Sequence, residues 1–510
     1  MIGTSLLDYL FIRTCIFCLH SITPLSIFYC LVVFVLQISR YRTYWILEYF
    51  FVAETVFYLF IYLPRRHYLQ APAIHPPPLA IEQRRQLFQR IHESIPNIER
   101  FLSKWFLDAP MSEIKRENVK DLFRWALLNM KDHDATHDQE LEQYIAEFEE
   151  VSGLSLEPGR GNAECMTLTF RPVNMWHRSL VWYFCVGFVD SLVCVKLLYH
   201  SFNLYRASLA QSLLIFPPRP FTLLSRFRSP VKNISYWHRP HRSKTRLPVL
   251  FIHGIGIGLY PYIDFLLQLN EENDEDEEHG QIGIIAVEIM PVSFRITHAA
   301  MERQDICEEI RQILAAHNWD QFVMVSHSYG TAITAQLLSD RQIAKQMKAL
   351  VLIDPITFLL HLPDVAYNFV SRKAMRANEH QLQYFASTDM GVAHTLSRRF
   401  FWSEVIMWKQ DIEGRQVTVS LAGKDLIVDT DAVRNYLTGD SDCQTAERHD
   451  TNNGPERDQT KWKGTGLDVL WYANLDHAQV FDKRSTRSVL VQAVRAYCSQ
   501  DRISFKSKSV

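Results

Sequence analysis

The stretch "VMVSHSYGT", Val323 to Thr331, decides how the second half of this 510-residue chain is read. The apolar run FVMV leads into it as a buried strand would, and TAITAQLL follows as a helix would. Between them Ser328 has a small residue two positions away on either side, Ser326 and Gly330. A strand that turns sharply into a helix forces the central residue into a strained backbone conformation, where bulky neighbours two residues away would clash. Such a serine is lifted out of the chain as a candidate nucleophile. Serine and glycine are also ordinary turn residues, and Ser326 stands where glycine is usual, so the assignment needs partners elsewhere.

Outward from this turn the texture is regular. From near Lys232, short apolar runs alternate with amphipathic stretches: "PVLFIHG", "GIIAVEI", the helical "MERQDICEEIRQIL", "FVMVSHS", "ALVLIDP", "VTVSLAG", "DVLWYAN" and the helical "STRSVLVQAVRAY". Strands alternating with helices imply right-handed crossovers and a mostly parallel, doubly wound α/β sheet. Two polar insertions, Glu271–Gly280 and Thr438–Lys463, read as solvated loops or disorder.

A nucleophilic serine needs a base, an orienting acid and an oxyanion site. "VTVSLAGKDLIV" ends a strand and leaves Asp425 in a loop, and "VLWYANLDHAQVF" does the same for His477. Upstream, "LPVLFIHGIGIG" runs a strand into a glycine-spaced turn whose backbone amides can point into a site. The amides of Ile255 and Tyr329 are the candidate oxyanion donors. A phosphate cradle is the competing reading of these glycines, but GIGIG lacks the GxGxxG spacing. Rivals exist for each role. Asp354 in "LVLIDP" also sits at a strand end, and Asp429 stands at the start of the next helical stretch. His327, His253 and His394 read as an elbow residue, an oxyanion-loop shaper and a cap residue.

"HG" after an early strand, "SHSYG", "GKD" after a late strand and "DHAQVF" before the last helix together resemble the α/β-hydrolase superfamily, over roughly Asn233 to Ser499. The stretches "FIHGIGIGLYPY", "YNFVSRKAMRANEH" and "FWSEVIMWK" give a narrower resemblance to membrane-anchored hydrolases of fungi. The resemblance implies an α/β-hydrolase fold with a helical cap around 356–411, and a serine esterase or lipase whose chain order is Ser328, Asp425, His477. It implies no metal or organic cofactor. Acyl transfer by the same triad is an alternative, since His477 and Asp482 form an H-x-x-x-x-D spacing, and so is a catalytically silent scaffold that binds at a membrane.

The chain carries a formal net charge of −2, which gives no nucleic-acid footprint. Its nine cysteines are scattered without metal-ligand spacing, which argues against a disulfide framework and for a reducing compartment. Thr14 to Ile38 has no Asp, Glu, Lys or Arg, with His20 its one side chain that charges near neutral pH, and it is long enough to cross a bilayer core, which takes roughly 20 apolar residues. Tyr44 to Leu63 is also long enough but carries Glu48 and Glu54, and Leu180 to Tyr199 carries Asp190 and Lys196. The second of these runs reads as interfacial or paired in a hairpin. The third is open between a core helix, a lid helix and a membrane-surface stretch. The expected organisation is thus 1–66 membrane segments, 67–231 linker and helical region, and 232–510 catalytic domain. The expected partners are a membrane and a lipid or apolar ester, with no obligate protein partner. The expected location is an endomembrane such as the endoplasmic reticulum or the lipid-droplet surface, with the catalytic domain on the cytosolic side.

Overall fold

The alternating second half folds around a nine-stranded sheet. In the computed structural model the described residues are 2–36, 45–271, 280–439 and 462–499, so most of the two polar insertions lie outside them. The strands are β1 (Asn203–Arg206), β2 (Phe227–Arg228), β3 (Ser235–Arg239), β4 (Val249–Ile252), β5 (Ile284–Glu288), β6 (Phe322–His327), β7 (Met347–Ile353), β8 (Gln416–Ala422) and β9 (Leu467–Tyr472). Their spatial order is β2-β1-β3-β5-β4-β6-β7-β8-β9. From β5 through β9 every pair is parallel, whereas β3 runs antiparallel to β1 and β5. The sheet therefore starts before the boundary expected at residue 232, because β1 and β2 add to its edge. These two strands are only four and two residues long, too short for a period-two pattern to stand out.

Strands β4, β5 and β6 are buried at every residue, as near-continuous apolar runs must be when helices cover both faces. Side chains alternate between the faces. Leu250, Ile252 and Met324 enter one core, and Val249, Phe251, Val323 and Val325 the other. Helices Arg303–Ala316 and Tyr329–Ser339 join the first core, and helices Ile263–Gln268 and Arg484–Cys498 the second.

Residues 67–231 are more than a spacer. Helices Ile81–Glu93, Ile98–Trp105, Arg116–Leu128 and Asp138–Ser152 return apolar residues every three or four positions, so each has one stripe to bury. They bury it in the same core as the sheet, through Phe88, Leu102, Trp105, Leu122 and Phe148. They also press on the segment between β7 and β8, a run of short helices from Pro363 to Ile412. There Trp105 Nε1 donates to the carbonyl of His361 at 3.2 Å, and Arg100 pairs with Asp364 at 2.7 Å.

Among the described residues, three helices are long and apolar enough to cross a membrane, by length and composition: Leu6–Val35, Trp45–Tyr68 and Leu180–Tyr199. Glu54, which looked costly in the second, ties all three together. Its buried carboxylate accepts from Thr23 Oγ1 of the first and from the Leu180 N–H that opens the third, and it meets His177 Nε2 at 3.1 Å. The third helix is two-faced. Tyr183, Val186, Asp190, Val193 and Leu197 are buried, with Asp190 in ion pairs to Arg219 and Arg295, at 2.9 and 2.8 Å. Phe184, Phe188, Val195 and Tyr199 are exposed. Asp190 is thus a protein-facing charge. Removing one partner of such a buried pair costs about 3–5 kcal/mol.

Candidate active site

Ser328 sits between β6 and helix Tyr329–Ser339 with φ 50° and ψ −120°, the strained turn that the flanking small residues imply. The close approach is visible at two glycines. A Cβ on Gly330 would lie 2.5 Å from the Ile252 carbonyl oxygen, and one on Gly254 would lie 2.8 Å from Ser328 Cβ. Ser326, in the usual glycine position, accepts a 2.8 Å hydrogen bond from Thr334 Oγ1.

The loops after β8 and β9 bring the other two expected residues to this serine. His477 Nε2 lies 2.9 Å from Ser328 Oγ, and its Nδ1 lies 2.7 Å from Asp425 Oδ2. An ionised carboxylate can only accept, so Nδ1 carries the proton and Nε2 is left facing the hydroxyl. The other oxygen of Asp425 accepts from the amides of Ile427 and Val428, at 2.7 and 3.0 Å. That fixes the acid in its loop. Burial alone would lower the His477 pKa, but the carboxylates of Asp425, Asp354 and Asp476 outweigh it and raise it to about 9.

Ile255 and Tyr329 line the same cavity as Ser328. The orientation of the Ile255 amide traces to His253. Its Nε2 accepts from the Ile289 amide at 2.9 Å, so Nδ1 bears the hydrogen and donates to the Gly254 carbonyl at 2.7 Å. In a trans peptide the Ile255 N–H then points the opposite way. Burial holds His253 neutral, with its pKa lowered to about 4. The Tyr329 amide opens a helix, where the dipole favours negative charge.

The rivals fall into supporting places. Asp354, at φ 42°, accepts the Ala478 amide at 2.8 Å and so holds the His477 loop from behind. His327 Nδ1 meets Tyr262 Oη at 2.9 Å, and its Nε2 lies 3.7 Å from Asp354 Oδ2. Asp429 caps helix Thr430–Thr438 and pairs with Arg100. Asp482 is exposed. His394 lies on cap helix Met390–Arg398, its pKa lowered to about 4 by burial and nearby arginines. Asp354, Asp425 and His477 each present one potential metal-ligand atom within 4.8 Å of the others. Asp425 commits Oδ2 to His477 Nδ1 and Oδ1 to two amides, and Asp354 Oδ2 accepts from Ala478 N–H, which makes the trio a poor fit for a metal ion.

Two positioning residues were not singled out in the sequence. Asp476 accepts from the amides of Leu426 and His477, at 3.0 and 2.7 Å, and from Asn378 of the cap. It thereby joins the acid loop, the base loop and the cap. Its one signal was its place beside His477. Tyr262 holds both His327 and the Gly254 amide, and nothing in its local sequence marks that.

Ser328 opens on an apolar cavity of about 820 Å³ including its mouth. Cap residues Leu360, Phe369 and Leu396 form part of its wall, and Trp105, Trp125 and Leu168, from before the sheet, form another. The arrangement can attack an acyl carbonyl with Ser328, move the proton through His477 and keep an apolar acyl group out of water.

The model of a family described as alpha/beta hydrolase fold matches residues 248–461, which include Ser328 and Asp425 and end before His477. No curated protein sequence matches the chain. Several solved structures are similar in outline. A bacterial membrane phospholipase A is 12% identical, with 64% of this chain and 94% of that chain covered and a TM-score of 0.37. A carboxylesterase from Nitrososphaera gargenis is 14% identical, covering 54% and 98% with a TM-score of 0.32. A carboxylesterase from Bacillus subtilis is 12% identical, covering 60% and 97% with a TM-score of 0.32. None of these shows the narrower resemblance to fungal hydrolases. The matched segment and the order of its strands make one statement secure: the chain carries an alpha/beta hydrolase fold domain.

Proposed function

We propose that the protein is a membrane-associated serine hydrolase that cleaves an ester of a lipid or another apolar acyl compound. The observation that carries this reading is the His477 imidazole, 2.9 Å from Ser328 Oγ and 2.7 Å from Asp425, at the wall of a cavity lined almost wholly by hydrocarbon. In the first half-reaction His477 takes the Ser328 proton as Oγ attacks the ester carbonyl, and the oxyanion forms at the amides of Ile255 and Tyr329. His477 then gives that proton to the departing alcohol oxygen. Water, deprotonated by the same imidazole, attacks the acyl-enzyme and releases the acid with Ser328 restored. Asp425 keeps the proton on Nδ1 and stabilises the imidazolium. Membrane association rests on the three spanning-length apolar helices.

A fluorophosphonate probe tests the chemistry without knowledge of the substrate. Wild-type protein should be labelled at Ser328, and Ser328→Ala should lose labelling together with on the order of 10⁴-fold or more of ester turnover. Undiminished labelling of folded Ser328→Ala protein would place the nucleophile elsewhere.

A further inference from the structure

Every side chain lining the cavity beside Ser328 is buried or half-buried, so a substrate needs a path from the surface. A second cavity, of about 850 Å³ with its open mouth, adjoins the first and shares Leu168, Val370 and Leu396 with it. Its rim includes Pro172 and Asn174, both exposed. Its inner wall is mixed, with Ser387, Thr388 and Ser397 beside Leu107 and Ala393.

The position of this rim is set by the apolar hairpin. Gln70, two residues past the end of the second apolar helix, exchanges two 2.9 Å hydrogen bonds with the backbone of Val173, between the two rim residues. Tyr62 and Leu69 pack with Val173, Met175, Met390 and Ala393 in one small core, and Ala393 also lines the cavity. Arg398 fastens the neighbouring strap by donating to the carbonyls of Ala71, Thr169 and Arg171. The helix that ends here carries Arg65, Arg66 and His67 in its last turn. Basic residues at the end of an apolar helix mark the level where it leaves a bilayer for the headgroups. The cavity rim is tied to the chain just past that helix end, through Gln70 and Val173.

Resting on the serine-hydrolase reading above, we propose that this second cavity is the access route for an amphiphilic ester drawn from a lipid surface. The ester slides past Leu168, Val370 and Leu396 to bring its carbonyl to Ser328. An inner wall that sets hydroxyl groups beside hydrocarbon suits a molecule with one polar and one apolar end. The foot of the hairpin sets that mouth against the headgroup layer, so such a molecule need not cross open water.

The test uses the full chain in phosphatidylcholine vesicles and two fluorophosphonates, one with a long alkyl chain that partitions into the vesicles and one short and water-soluble. Ala393→Trp, which narrows the route, should lower the ratio of long-probe to short-probe labelling rates by roughly tenfold or more, on the scale of a pocket altered by a few methylenes. Asn174→Trp, at an exposed rim position that tolerates bulk, should lower the same ratio by a smaller factor and keeps the test open if Ala393→Trp fails to fold. An unchanged ratio in folded Asn174→Trp and Ala393→Trp protein overturns the route. Absence of labelling by either probe in the wild type counts instead against the hydrolase reading itself.

Discussion

The two sides of the cavity beside Ser328 are built on opposite plans. On the strand-end side nearly every polar group has its place fixed. Asp425 accepts three hydrogen bonds and Asp476 accepts three, and Ser328 is held at a positive φ by the strand behind it and the helix ahead. On the facing side, the polar groups of the tryptophans are satisfied within the protein. Trp105 Nε1 donates to the His361 carbonyl, Trp125 Nε1 to Thr169 Oγ1 at 2.9 Å, and Trp402 Nε1 to the Ala126 carbonyl at 3.2 Å. With those N–H groups satisfied, the rings offer hydrocarbon to a substrate. Under the proposed function, chemistry sits on the ends of the sheet, and acyl selection on helices that arrive from distant parts of the chain. A change on the first side should cost rate for every ester, and a change on the second should redistribute rate among esters.

The sharpest break comes from Asp425→Asn. The amide keeps the shape but can donate to Nδ1, which favours the wrong imidazole tautomer. Turnover of all esters should fall by about 10⁴, the size of the same change in the well-studied protease case. Steady-state kinetics on a short and a long ester would check that both fall together. A loss confined to one chain length would erase the distinction between the two sides.

On the facing side Leu360→Phe adds bulk to a buried cavity residue. The expected result is a specificity shift, with kcat/KM for long acyl chains falling relative to short ones by roughly 10–200-fold, the usual effect of a change of a methylene or so in an apolar pocket. A chain-length series reads it directly. A uniform fall across the series would mean that the phenyl ring had disturbed Ser328 instead.

The same division explains what was legible in the sequence. The strand-end side could be read because each of its parts is local. A buried strand shows as an apolar run, the turn after it shows as glycine, and the residue in that turn is the candidate one, as at "GKD" for Asp425 and "SHSYG" for Ser328. The facing side could not be read, because Trp105 and Trp125 look like any core residue on an amphipathic helix. Their meaning depends on a contact with the cap some 250 residues later in the chain, such as Trp105 to His361. Glu54 and Asp190 were opaque for the same reason. A carboxylate in an apolar helix is a cost until its partners are known, and those partners, Thr23, His177 and the Leu180 amide for one, Arg219 and Arg295 for the other, come from other segments. Asp476 lay in plain view beside His477, but its task is to bind backbone amides, which leaves no mark on sequence.

The smallest expected effect separates Asp354 from Asp425 by charge alone. Both carboxylates lie close to His477, but Asp425 bonds the ring, whereas Asp354 bonds the Ala478 amide behind it. Asparagine suits the φ of 42° at residue 354, and its carbonyl oxygen can still accept from Ala478, so Asp354→Asn removes mainly a negative charge. That charge helps to raise the His477 pKa to about 9. His477 must be neutral to take the Ser328 proton, so wild-type kcat/KM should rise with pH toward an alkaline plateau. With one carboxylate neutralised, the imidazolium is less favoured and the rising limb should move to lower pH. The plateau itself should change by less than roughly tenfold, the effect of one pKa unit on the balance of the two forms. Stability follows the same sign. A group whose folded-state pKa exceeds the unfolded value near 6.5 contributes fully below that value, and its contribution is lost as pH rises through about 9. The variant should therefore lose part of its advantage in acid-to-neutral unfolding and little above pH 9. A pH–rate profile that stays in place while the plateau falls by orders of magnitude would make Asp354, not Asp425, the acid that orients the base.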